Sequence, residues 1–99
     1  MSIVEQNKDK VIALCDSHKV GSLFVFGSVL GSRFNEASDI DFVVDFKDVD
    51  LYDYADNYFD LKEGLESIFN RPIDLLEENA IKNPILRQSI DRSKILIYG

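Results

Sequence analysis

The chain has 99 residues, 45% of them apolar and 29% charged, which is a globular composition with room for one core and little else. Eighteen acidic against eleven basic residues leave a net charge of −7, which argues against a nucleic-acid binder that neutralises phosphates and against attachment to an anionic membrane surface. A single cysteine, Cys15, excludes an internal disulfide and a cysteine-rich zinc site. There is no run of apolar residues long enough to span a bilayer, and the opening MSIVEQNKDK lacks an apolar leader core, so a cytoplasmic protein is expected. One small core leaves no space for a large enclosed cavity. An active site would be an open groove or would be completed by a partner.

In chain order, Ile3, Val4, Val11, Ile12, Leu14 and Cys15 form a helical stripe, which predicts one amphipathic helix over 2–19, broken at Gly21. Leu23 to Phe26 is a short apolar run ending at Gly27 and reads as a buried strand. A helical turn near Ser28 to Gly31 and a polar loop lead to a second strand, Asp39 to Phe46. Its period of two puts Ile40, Phe42, Val44 and Phe46 on one face and Asp39, Asp41, Val43 and Asp45 on the other. Steps of three and four through Leu51, Tyr54, Tyr58, Leu61, Leu65, Ile68 and Phe69 mark a helix. Pro72 to Glu77 is a third strand, Pro84 starts a short helix through Ile90, and Lys94 to Tyr98 is a last β-rich run. The order predicts an α/β fold over residues 1–99: a single domain with a small mixed sheet and helices packed on one face.

Chemistry concentrates in three short stretches. Asp39 and Asp41 stand two apart on one strand, so their carboxylates share a face and repel. A divalent cation between them removes that repulsion, and hard oxygen ligands favour Mg²⁺ or Mn²⁺. Gly27-Ser28 ends a buried strand where a helix begins. Backbone N–H groups there point outward, the glycine admits close approach, and the Ser28 hydroxyl adds a donor, a combination suited to phosphate. Asp74 lies inside the apolar run Ile73-Asp74-Leu75-Leu76, where a buried unpaired carboxylate would be costly. If the third strand lies beside the second, Asp74 joins Asp39 and Asp41. Three carboxylates would then hold two metal ions in the scheme for in-line displacement at phosphorus.

Gly27-Ser28, ten intervening residues, Asp39-x-Asp41 and a later strand aspartate, Asp74, resemble the signature of the nucleotidyltransferase superfamily related to DNA polymerase β. The small size and the segments Pro72-Ile73-Asp74-Leu75-Leu76 and Lys94-Ile95-Leu96-Ile97-Tyr98 resemble its minimal nucleotidyltransferases, the MNT family, over about Val11 to Tyr98. That resemblance implies an antitoxin that moves AMP from ATP to a tyrosine of a HEPN-domain toxin. It implies Mg²⁺ ligation by Asp39 and Asp41, triphosphate contact by Gly27 and Ser28, and Asp74 as third ligand and as base toward the acceptor hydroxyl. The motif departs from the family at Gly31, where an arginine is usual, and the basic residue comes two places later at Arg33. Either Arg33 reaches the phosphates in its place, the expectation adopted, or nucleotide binding is weaker.

Simpler assignments stand beside these. Asp39 and Asp41 could be polar residues at a strand start, Asp74 could pair with Arg71, and Ser28 could cap a helix. Asp45, Asp48, Asp50, Asp53 and Asp56 read as a solvated face, His18 as a surface residue near a helix end, and Cys15 as core. Tyr52, Tyr54 and Tyr58 read as packing or partner surface. Two other functions fit the sequence: a binding module that neutralises its partner by stoichiometric occlusion, and transfer to a small molecule, although the relatives that do this usually carry an extra helical domain.

Overall fold

The alternation Ile40-x-Phe42-x-Val44 makes one strand apolar toward a single side, and the sheet is built around it. In the computed structural model, which describes residues 2–31, 34–35 and 38–99, this strand is β2 (Ile40–Phe46). It lies between β1 (Val20–Phe26) and β3 (Ile73–Glu77), and β4 (Ile95–Tyr98) completes the order β3-β2-β1-β4. β1 runs antiparallel to β2 and to β4, whereas β3 runs parallel to β2, so the sheet is mixed as expected. A parallel neighbour requires a crossover, and α3 (Tyr54–Phe69) supplies it. The remaining helices are α1 (Ser2–Gln6), α2 (Lys8–Ser17) and α4 (Pro84–Ser93), with single 3₁₀ turns at Gly27–Leu30 and Glu78–Ala80.

The core forms where the helical stripes meet the apolar side of the sheet. Val4, Val11 and Cys15 from α1 and α2, and Leu61, Leu65 and Phe69 from α3, pack with Leu23, Val25, Ile40, Phe42, Val44, Ile73 and Leu75. Phe42 and Phe69 bring their ring centroids to 5.9 Å. Each such side chain contributes about 1.5–3 kcal/mol by leaving water. Val43 and Ile90 are buried apart from this cluster. Burial pushes the Cys15 thiol up to about 12, with the Asp16 charge acting in the same direction, which fits a packing residue. No helix among the described residues is long and apolar enough to cross a membrane.

Three boundaries differ from the sequence expectation, each for a local reason. The first helix is two, because Asn7 turns its side-chain amide onto the Ile3 carbonyl at 2.8 Å and competes with the helical ladder. Val4 and Val11 are both fully buried, so the apolar stripe continues across the break. The chain reverses at Lys19, whose φ is 55°, and not at Gly21. Gly21 lies inside β1 at a register shift, where a Cβ would approach the Asp45 carbonyl oxygen to 3.1 Å. The long helix begins at Tyr54 and not at Leu51, because Asp50 Oδ1 accepts from the Tyr52 amide at 2.9 Å and forms a turn ahead of it.

α4 begins as its sequence suggests, with Pro84 in the first turn. Asn83 Oδ1 accepts from the amides of Ile85 at 2.9 Å and Leu86 at 3.3 Å. Asn83→Ala is expected to lower stability by about 1 kcal/mol, read as a lower urea midpoint with an unchanged slope.

Candidate active site

The site grows from the end of β1. Phe26 is extended and Gly27 turns to φ 78°, which directs the chain into the 3₁₀ turn. A Cβ at Gly27 would land on Oδ2 of Asp41, so the glycine is required both by its backbone and by the carboxylate lying against it. Asp41 faces Phe26 across the antiparallel pair and Asp74 across the parallel pair. The third strand therefore does lie beside the second, and Asp41 and Asp74 occupy neighbouring positions on the same side of the sheet.

The electrostatics follow from that placement. Burial pushes the Asp41 carboxyl above the ordinary carboxylate value, and the charges of Asp74 and then Asp39 push it further in the same direction. The backbone N–H of Ser28 donates to Asp41 and opposes the rise. The three carboxylates thus interact as one group, with Asp39 and Asp74 exposed and Asp41 half-buried. Among the described residues no enclosed cavity forms, so this group stands open on the surface.

Several expectations change here. Asp74 is not a buried acid: Ile73 and Leu75 turn into the core and Asp74 turns out, as strand alternation requires. Arg71 does not pair with it. Its Nη1 donates to the carbonyl oxygens of Asn35 at 3.0 Å and Ser38 at 3.1 Å. Ser28 is not a helix cap, since its hydroxyl donates to the Asp39 carbonyl at 3.3 Å and ties the turn to the start of β2. Arg33 lies outside the described residues. His18 is at the end of α2 with Nδ1 2.7 Å from the Leu14 carbonyl, a structural position. Tyr54 and Tyr58 pack: the Tyr54 hydroxyl donates to Glu77 and the Tyr58 hydroxyl to the Leu75 carbonyl at 2.6 Å, whereas Tyr52 is 94% exposed.

The sequence matches the family described as "Polymerase beta, Nucleotidyltransferase" over residues 9–99. It is 37% identical over 84 residues to a Methanocaldococcus jannaschii protein provisionally named a protein adenylyltransferase, covering 85% of this chain and 83% of that one.

The chain belongs to the polymerase-beta nucleotidyltransferase family.

A solved structure provisionally named a minimal nucleotidyltransferase superposes with a TM-score of 0.71 at 31% identity, covering 93% of this chain and 90% of that one. The fold is also shared with a chain of a Shewanella oneidensis complex, described as a tri-AMPylated HEPN toxin with its MNT antitoxin. The TM-score there is 0.65 at 23% identity, covering 96% of this chain and 71% of that one.

The donors of this nucleotidyltransferase suit a hard divalent cation. Asp41 and Asp74 are cross-strand neighbours, and the repulsion that Asp74 and Asp39 exert on Asp41 is what such a cation relieves. Among the described residues no three carboxylates, imidazoles or thiols are already gathered at metal-holding distance. Two contributors escaped sequence reasoning. Tyr58 satisfies a carbonyl beside Asp74 from the side of α3, and Arg71 clamps the backbone ahead of Asp39. Both act on carbonyl groups, which every residue has, so residue identity and spacing carry no signal for them.

Proposed function

We propose that residues 1–99 form one minimal nucleotidyltransferase domain that moves AMP from ATP to a tyrosine hydroxyl of a HEPN-type toxin in the cytoplasm and thereby acts as its antitoxin. The observation that carries this is the cross-strand pairing of Asp41 with Asp74 beside the Gly27-Ser28 turn, with the charge of Asp39 acting on the same carboxyl. The relatives' assignment as protein adenylyltransferases and the AMPylated toxin in the Shewanella complex support the choice of AMP and of a protein acceptor. An open group of carboxylates also suits an acceptor presented by a macromolecule.

In this mechanism Asp39, Asp41 and Asp74 would hold two Mg²⁺ ions, which would offset the triphosphate charge and favour ionisation of the acceptor hydroxyl. Gly27, through its backbone, and Ser28 and Arg33 would contact the nucleotide phosphates. Asp74, exposed on the rim, accepts the proton of the tyrosine hydroxyl. The tyrosine oxygen forms a bond to the α-phosphorus as the bond from that phosphorus to the bridging oxygen breaks. Pyrophosphate departs with that electron pair, and AMP remains on the partner.

The test is incubation with Mg²⁺, the partner toxin and ATP labelled at the α-phosphate, with a γ-labelled control. Label on a toxin tyrosine from the α-position and none from the γ-position is the expected result. A tight complex that never acquires label would replace catalysis with neutralisation by occlusion.

A further inference from the structure

Arg71 stands where the two halves of the site meet. It precedes β3, yet its Nη1 reaches carbonyl oxygens 36 and 33 residues earlier, those of Asn35 and Ser38, at 3.0 and 3.1 Å. Its guanidinium carbon lies 4.7 Å from the centroid of the Phe34 ring. In a chain with eighteen acidic residues, this cation makes no ion pair among the described residues. A guanidinium offers a fork of rigid donors, and here one of them holds two backbone carbonyls of the segment that runs into β2.

The next residue continues the clamp. The Pro72 carbonyl accepts from the Ile40 amide at 3.3 Å, and β2 and β3 then stay in register through Asp41 and Asp74. Asp39 sits between Ser38 and Ile40. Its neighbour on one side is held by Arg71 and its neighbour on the other by Pro72. Asp39 is exposed and precedes the strand, so it lacks the core packing that orients Asp41 through Phe42 and Ile40. That two-sided hold acts together with the Ser28 hydroxyl, which donates to the Asp39 carbonyl at 3.3 Å, to set the backbone from which its carboxylate projects.

We propose that Arg71 is the positioning residue of the carboxylate triad, fixing the backbone that leads into Asp39 so that its carboxylate meets Asp41 and Asp74 around a divalent cation and nucleotide. The role rests on the nucleotidyltransferase function proposed above. Residues that orient metal ligands without touching the metal typically alter its affinity by about 10–100-fold.

The experiment compares wild type, Arg71→Lys and Arg71→Met. Binding of Mn²⁺ with a non-hydrolysable ATP analogue is measured by calorimetry, and backbone amide exchange is followed at Ile40. Arg71→Met is expected to unfold cooperatively, to exchange faster at Ile40, and to bind Mn²⁺ with the analogue about 10–100-fold more weakly. Its transfer activity is expected to recover as Mn²⁺ is raised, which a general loss of structure would not allow. Arg71→Lys, which keeps a cation able to donate to both carbonyls, is expected to fall between the two. Affinity within about threefold of wild type in Arg71→Met, or transfer that saturating Mn²⁺ fails to restore, overturns the proposal. If Arg71→Met does not fold, Arg71→Lys decides: weaker binding at an unchanged thermal midpoint supports the role, and unchanged binding overturns it. A wild-type protein that binds no Mn²⁺ with the analogue removes the nucleotidyltransferase function and the Arg71 role together, an outcome distinct from failure of the variant alone.

Discussion

Asp41→Asn is expected to lower nucleotidyl transfer by about a thousandfold and, at neutral pH, to make the protein more stable. The first effect follows from the proposed role of Asp41 as a metal ligand at the centre of the triad. Metal-assisted charge stabilisation contributes several kcal/mol to such transition states, and about 4 kcal/mol corresponds to a thousandfold in rate. The second effect follows from the burial of Asp41 and the adjacent charges of Asp74 and Asp39, which raise its carboxyl above the ordinary value. A raised value means that the folded state disfavours the charged form. The stability contribution of Asp41 is therefore complete below the ordinary carboxylate range and is lost as pH rises through the raised folded value. At neutral pH the metal-free wild type bears the whole penalty, and asparagine removes it.

The asparagine amide has nearly the same shape as the carboxylate and keeps an oxygen that accepts from Ser28. Because Asp41 is half-exposed and its charge is screened, the gain is about 0.5–1 kcal/mol, or about 2–8 °C in midpoint. The check is a pair of thermal melts in the absence of divalent ions. The variant should melt above wild type at neutral pH, and the gap should shrink as pH falls through the raised value of the Asp41 carboxyl, where the wild type takes up its proton. A variant that melts at or below wild type at neutral pH would show that the three acids do not repel one another as described.

Gly27→Ala should have the opposite effect on stability, by about 2–5 kcal/mol. A left-handed φ of 78° costs an alanine about 1–2 kcal/mol. The added methyl would also land on Oδ2 of Asp41, and forcing a side chain aside in a fitted site costs about 1–3 kcal/mol more. The two parts separate in a double-mutant cycle. In an Asp41→Ala background the colliding oxygen is gone, and the Asp41 Cβ would lie 3.5 Å from the new methyl, an ordinary contact. There the same substitution should cost only the backbone part, about 1–2 kcal/mol. Equal costs in both backgrounds, measured as urea unfolding free energies, would dismiss the contact between turn and carboxylate. Transfer should fall in Gly27→Ala as well, since Asp41 can no longer lie in the same place.

Much of the fold is written locally. Ile40, Phe42 and Val44 declare their face by alternation, and Leu61, Leu65 and Phe69 by steps of four, because one turn of backbone suffices to set those periods. Gly21 and Asn7 mislead for the same local reason. A glycine suits a bulge as well as a helix end, and an asparagine side chain can turn on its own helix. At the site, Gly27-Ser28 and Asp39-x-Asp41 are joined into one motif by the resemblance to the nucleotidyltransferases.

The position of Asp74 is another matter. An acid in an apolar run suggests a buried charge; strand alternation turns it outward, and only the placement of β3 along the edge of β2 brings it beside Asp41. Side-chain periodicity fixes which way a residue points within its own element, so the sequence alone determined the elements, their apolar faces and the motif. Which strands become neighbours depends on how α3 carries the chain across the sheet and on backbone hydrogen bonds between distant segments, to which every residue type contributes alike. The tertiary structure therefore decided the juxtaposition of Asp41 with Asp74, the approach of Asp41 to Gly27, and the reach of Arg71 to the backbone before Asp39.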